Sequence, residues 1–133
     1  MLFRSQPGAV LFPARTRGDF SMVMSGWGTL TGEAHYTLSS LGHSNNPQVK
    51  MGAFNWRNYN NPQMDKLLQD AAVELDTAKR KSLLEQANEL FMTDRPSLPL
   101  VAVSSAWAMQ KDKVAMPKPR VDEDTLALDL KKP

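Results

Sequence analysis

The chain has 133 residues, 16 basic and 14 acidic side chains for a formal charge of +2, and no cysteine. That length holds at most one domain with a core of its own, and the even mixture of charge argues against nucleic acid as the main partner, because phosphate binding needs a concentrated basic face. The missing thiols exclude disulfides, thiolate nucleophiles and cysteine-type zinc sites while leaving cytoplasm and periplasm both open.

Ala9–Phe12 is a short apolar run bracketed by Pro7 and Pro13, which suits an edge strand, since proline cannot donate to a ladder. Arg15–Asp19 reads as a polar turn. Phe20–Trp27, rich in Phe, Met, Val and Trp, reads as a central strand. Gly26, Gly28 and Gly32 follow around Thr29 and Thr31 and give the backbone room to turn and to approach another group. Tyr36, Leu38 and Leu41 fit a short helix over Ala34–Leu41. Gly42–Tyr59, dense in Asn, Gly and Ser, is expected to be a long loop anchored by Trp56 and Tyr59, of the kind that faces a ligand or partner.

Two helices are then announced clearly. Asn61 is an N-cap followed by Pro62 at the first helical position, and Met64, Leu67, Leu68, Ala71, Ala72 and Leu75 repeat at helical spacing. Asp76 caps the second helix, whose stripe is Leu83, Leu84, Ala87, Leu90 and Phe91, and Arg95-Pro96 stops it. Helices over 61–75 and 77–94 therefore form a hairpin, packed through Leu68, Ala71, Leu84, Ala87 and Phe91. Ser97–Met109 is too short and too β-branched for another helix and is expected to be a strand buried on at least one face. Lys111, Lys113, Lys118 and Arg120, with Pro117 and Pro119 among them, read as a solvated connector rather than a phosphate clamp. No apolar run reaches the length of a membrane span, and Met1–Ser5 has neither the apolar core nor the cleavage site of a secretory signal.

The chemistry-bearing residues give little sign of catalysis. Ser25, Ser39, Ser40, Ser104 and Ser105 offer hydroxyls, but there is no G-x-S-x-G elbow and no acid placed to orient His35 or His43. Two histidines eight apart with scattered carboxylates are not a metal-ligand spacing, so neither a metal nor a cofactor is expected. Trp27 has two readings on its residues alone: a core tryptophan whose N–H finds a backbone partner, or a ligand-facing ring at a strand end.

The order of these motifs carries a resemblance. Asn61-Pro62, Asp65, Leu67-Leu68, an acid-capped helix with Arg80-Lys81, and then Pro96-Ser97-Leu98-Pro99-Leu100 resemble the C-terminal lobe of the peptide/nickel class (family 5) of extracytoplasmic solute-binding proteins of bacterial ABC transporters. Upstream, Gly18-Asp19-Phe20-Ser21-Met22-Val23-Met24-Ser25-Gly26-Trp27-Gly28 looks like that family's strand ending in Gly-Trp at the ligand cleft. Members are several times longer, so the chain reads as the last part of such a protein. The resemblance implies an α/β fold, part of the C-terminal lobe of a two-lobed periplasmic-binding-protein architecture, with the helical hairpin packed on a small mixed sheet. Residues 1–116 would form the partial lobe and 117–133 a connector and closing segment toward the other lobe.

By resemblance Trp27, Gly28, Thr29, Leu30 and Thr31 line the cleft, the location is periplasmic, and the partners are a small-molecule solute and membrane permease subunits. Peptide-binding relatives carry an aspartate three residues after this tryptophan, where it pairs with the peptide's ammonium group; here Leu30 stands there. A leucine cannot neutralise an ammonium in a dry cleft, so either Glu33 substitutes or the solute presents no ammonium at that place, and the second is the expectation. His35, beside Glu33 and Tyr36, is also within reach of a ligand. The runner-up from another class is a small protein–protein interaction domain using the hairpin as its interface. A half-lobe without its first strands is also expected to self-associate.

Overall fold

In the computed structural model, residues 5–104, 106, 108–110, 112–115 and 130–131 are described. Four helices follow in order: α1 (Gly8–Arg17), α2 (Ala34–Leu41), α3 (Pro62–Val73) and α4 (Thr77–Asp94).

The hairpin forms as its caps dictate. Asn61 Oδ1 accepts from the backbone N–H groups of Gln63 and Met64 at 3.0 and 3.3 Å, and Asp76 Oδ1 accepts from Lys79 N–H at 2.9 Å; each satisfies donors that a helix start leaves unpaired. Asn61 Nδ2 also donates to Asp94 Oδ2 at 2.8 Å, which joins the start of α3 to the end of α4 and makes the pair antiparallel. Arg95 takes a left-handed conformation (φ 53°) and ends α4 ahead of Pro96. Leu68, Ala71, Leu84, Ala87 and Phe91 are buried, as the stripes require, and Leu38 of α2 closes the same core with Met64 and Leu67. Gly42 ends α2 where a Cβ would lie 2.9 Å from the Phe91 ring, so the close seat of α2 on α4 needs glycine there. The first helix is shorter than its periodicity suggested. It stops at Val73, and Ala72, Val73 and Leu75 are exposed, Leu75 almost completely, because Glu74 is extended and turns the chain toward the next cap.

The loop from Gly42 to Tyr59 is held by buried polar groups. Asn55 donates to the carbonyls of His43 (3.0 Å) and Tyr59 (2.6 Å) and accepts from Tyr59 N–H (2.9 Å). His43, almost wholly buried, sits between Gln69 Nε2, 3.0 Å from its Nε2, and the Ser44 carbonyl at its Nδ1. Gly52 has φ +73°, and a Cβ there would come within 2.4 Å of the His43 carbonyl oxygen, so only glycine fits.

The mixed sheet is not present among the described residues. One antiparallel bridge, Asn46 with Met51, is the β pairing there. Ala9–Phe12 lies in α1 instead of an edge strand. Gly18 (φ +76°) terminates that helix, with Gly18 N–H bonded to Arg15 O and Asp19 N–H to Ala14 O, a Schellman stop that places the segment 8–17 in a helix despite Pro13. Phe20–Trp27 and 97–104 form neither helix nor strand, with Met22, Met24, Leu100, Val101 and Val103 mostly in solvent. The reason is that a strand borrows its hydrogen-bond partners from another segment, whereas a helix supplies its own. The expected connector at 117–133 lies outside the described residues except for 130–131.

Candidate functional site

The segment after Gly26 is laid against α2 by specific contacts. Trp27 Nε1 donates to Thr37 Oγ1 at 3.0 Å, and Thr29 Oγ1 shares a hydrogen bond with the same hydroxyl at 2.7 Å. The Trp27 ring stacks on Tyr36 (centroids 5.7 Å apart, 27° between planes) and meets Phe54 edge-on at 5.2 Å; Phe54 in turn meets Trp56 edge-on at 5.6 Å. These offset and edge-to-face arrangements are the ones that aromatic quadrupoles favour. Trp27 is half-buried and bonded to a side-chain hydroxyl, so it is neither the deep core tryptophan nor a ring at the end of a paired strand.

The remaining expected residues divide. Gly28 and Thr31 are exposed, and Leu30 is 54 % exposed, an apolar side chain free on the surface beside Trp27. Thr31 Oγ1 accepts from Glu33 N–H at 3.3 Å. Glu33 and His35 instead fasten α2 to the hairpin. Arg80 grips Glu33 with both edges of its fork, Nε to Oε1 at 2.6 Å and Nη2 to Oε2 at 2.9 Å, and its Nη1 donates to the Ala71 carbonyl. That charge-assisted pair holds the Glu33 carboxyl below its usual range, with burial opposing it. His35 Nε2 lies 3.2 Å from the Leu68 carbonyl, within hydrogen-bonding distance. The structure thus gathers Trp27, Thr29, Tyr36 and Thr37 on one face of α2 and assigns Glu33 and His35 to helix packing. Tyr36, Thr37 and Phe54 join the group unannounced; Trp56 was visible as a loop aromatic, while Thr37 carries no local signal because its role depends on which segment crosses α2. A shallow open depression of about 550 Å³ beside the α3–α4 turn, lined by residues including Val73, Lys79 and Leu83, includes none of these residues. Among the described residues no helix is long and apolar enough to cross a membrane, and no cluster of ligand-type side chains suits a metal ion.

Over 91 residues, 68 % of the chain, the sequence is 34 % identical to the glutathione-binding protein GsiB of Shigella dysenteriae serotype 1 (strain Sd197) and 33 % identical to that of Escherichia coli strain K12. The chain is a distant, partial relative of the family 5 solute-binding proteins. The matched region spans 17 % of the length of these relatives, which are named for binding and not for catalysis. No family model matches the chain, and no solved structure does.

Proposed function

We propose that the protein is a solute-binding component of an ABC importer, working in the periplasm, that captures a small peptide-like solute of the glutathione kind and hands it to a membrane permease. The similarity to glutathione-binding proteins over two-thirds of the chain carries this reading. The geometry fits it: an aromatic and hydroxyl-bearing surface at Trp27, Gly28, Thr29, Leu30 and Thr31 is held on α2 through Trp27 and Thr29, with Gly28, Leu30 and Thr31 open to solvent. Such a component performs no chemistry on its cargo. Affinity comes from desolvating the solute between two lobes that close over it, and this segment supplies one wall.

Glutathione has an ammonium group and two carboxylates, and this wall offers no acid to the ammonium. Leu30 is apolar, and both Glu33 oxygens are engaged by Arg80; the ammonium is met elsewhere. The hairpin is not the interface of an interaction module in this reading, because its two stripes face each other and α2. Isothermal titration of glutathione into the two-lobed protein that carries this segment is the test. Binding is expected, weakened by Trp27→Ala through lost contact area and not improved by Leu30→Asp, since a carboxylate placed without a cation is disfavoured. Absence of glutathione binding, or tighter binding in Leu30→Asp, overturns the reading.

A further inference from the structure

The cations of the described residues differ in what meets their charge. Arg17, Lys66, Arg80 and Lys81 each lie against a carboxylate, of Asp19, Asp70, Glu33 and Glu85 in turn. Arg15 is held differently. Its guanidinium carbon lies 3.3 Å from the centre of the Trp56 ring and 4.9 Å from that of Phe12, Nη1 donates to Ser25 Oγ at 3.1 Å, and Nε is buried with no acceptor among the described residues. Burial lowers the Arg15 pKa from the ordinary arginine value, although an arginine stays charged in any protein.

Aromatic faces attract a cation without neutralising it. Arg15 is therefore held in place with no carboxylate against it among the described residues, and fixing a guanidinium before a ligand arrives lowers the entropy lost on binding. It is also fixed in a telling position. Ser25, which it contacts, directly precedes Gly26 and Trp27, and among the described residues nothing beyond the adjacent residues of the chain lies within 4 Å of where a Cβ would stand at Gly26 or at Gly28. A ligand lying along that glycine backbone would have the Trp27 surface at one end and Arg15 at the other.

We propose that Arg15 is a carboxylate-recognition residue of the candidate site, with the Ser25 hydroxyl as a neighbouring donor. This rests on the function proposed above and specifies which part of the solute this wall reads: an anionic end, consistent with Leu30 and the occupied Glu33 rejecting an ammonium. Carboxylate is the anion named because the planar guanidinium fork matches its two oxygens.

The test compares glutathione with its diethyl ester, which keeps the ammonium and thiol and loses both carboxylates, by nuclear magnetic resonance of the labelled protein. Glutathione is expected to shift the Arg15 Nε–H and the Trp27 and Trp56 indole N–H signals. The ester should shift Trp27 alone and bind about ten- to hundredfold more weakly, the range for losing a charged hydrogen bond. Arg15→Met should bind acid and ester alike, whereas a merely structural role for Arg15 would weaken both and keep the preference for the acid. Equal binding of acid and ester by the unaltered protein overturns the proposal without any variant, and so does an equal Arg15 response to inorganic phosphate at matched ionic strength. If Trp27 responds but Arg15 does not, this proposal falls and the proposed function stands. If neither responds to glutathione, both fall.

Discussion

Leu, Val and Met fill two parts of this molecule with opposite results. In the block of α2, α3 and α4, Met64 and Leu68 are completely buried; in the irregular stretches before α2 and after α4, Met24 is 73 % exposed and Val103 83 %. Hydrophobicity alone does not separate them. The helical block satisfies its backbone internally and at its caps, so its apolar stripes need only find one another, and a three-residue connection at 74–76 delivers α4 directly onto α3. The irregular stretches carry strand-like residues with no neighbouring strand among the described residues, and an unpaired segment keeps its backbone, and with it its side chains, in water.

The largest consequence should appear as a difference between two truncations. Phe91→Ala removes a buried ring from the point where α2, α3 and α4 meet and is expected to cost about 3–5 kcal/mol, whereas Val103→Ala should change stability by no more than about 0.5 kcal/mol. Urea denaturation of both variants decides it. A cost for Val103→Ala as large as that for Phe91→Ala would mean that the stretch after α4 is packed, and the contrast between the two regions would collapse.

This contrast also explains what could be read from the sequence. The hairpin was legible almost to the residue because its signals are local: Asn61-Pro62, Asp76, Arg95-Pro96 and two stripes of period 3.6. Leu75 was misplaced because periodicity runs on past the point where Glu74 turns the chain. α1 was missed because Pro7 and Pro13 suggested an edge, while the Gly18 stop that ends the helix passed for part of a turn. The strands at 20–27 and 97–109 were inferred from residue preference, which describes how well a side chain fits a sheet and cannot supply the sheet. At the site, Trp27 and Thr29 were named from the Gly-Trp motif, but their shared partner Thr37 and the Glu33–Arg80 clasp depend on tertiary contacts between residues 8 to 47 apart, and no pattern along the chain encodes these.

A middle-sized effect sharpens the comparison where a loop behaves like core. Asn55 uses both ends of its amide to join His43 and Tyr59 inside the loop. Asn55→Leu preserves volume but strands buried backbone groups, and is expected to cost about 1–3 kcal/mol. Hydrogen exchange should show faster opening of 43–59 in this variant with little change in the middle of α4. Loss of protection confined to α4 would instead place the support of this loop outside Asn55.

The smallest effect is the pH response of the clasps around the helical block, whose two limbs share the Tyr59–Asp94 bond and differ in the Glu33–Arg80 pair. Tyr59 Oη donates to Asp94 Oδ2 at 2.5 Å; burial first, and then this bond, push the Tyr59 pKa up to about 12. A folded-state pKa raised above the unfolded value of about 10 gives a contribution that is whole below pH 10 and disappears as pH rises toward 12. On the acid side the signs reverse. Bonds from Tyr59 and Asn61 hold Asp94 below its usual range, and the Arg80 fork does the same for Glu33, so their contributions are present above the ordinary carboxylate values and are lost as pH falls through the depressed ones. Both carboxylates are substantially solvent-exposed, which keeps these contributions modest. Urea midpoints measured across pH should therefore decline at both ends. Tyr59→Phe should flatten the difference between pH 10 and 12 and also remove the share of the acid limb that its bond to Asp94 supplies, whereas Glu33→Gln should reduce the acid limb alone. An unchanged alkaline decline in Tyr59→Phe would show that other groups control that limb, and the link between the Gly42–Tyr59 loop and the end of α4 would then lie in packing rather than in this hydrogen bond.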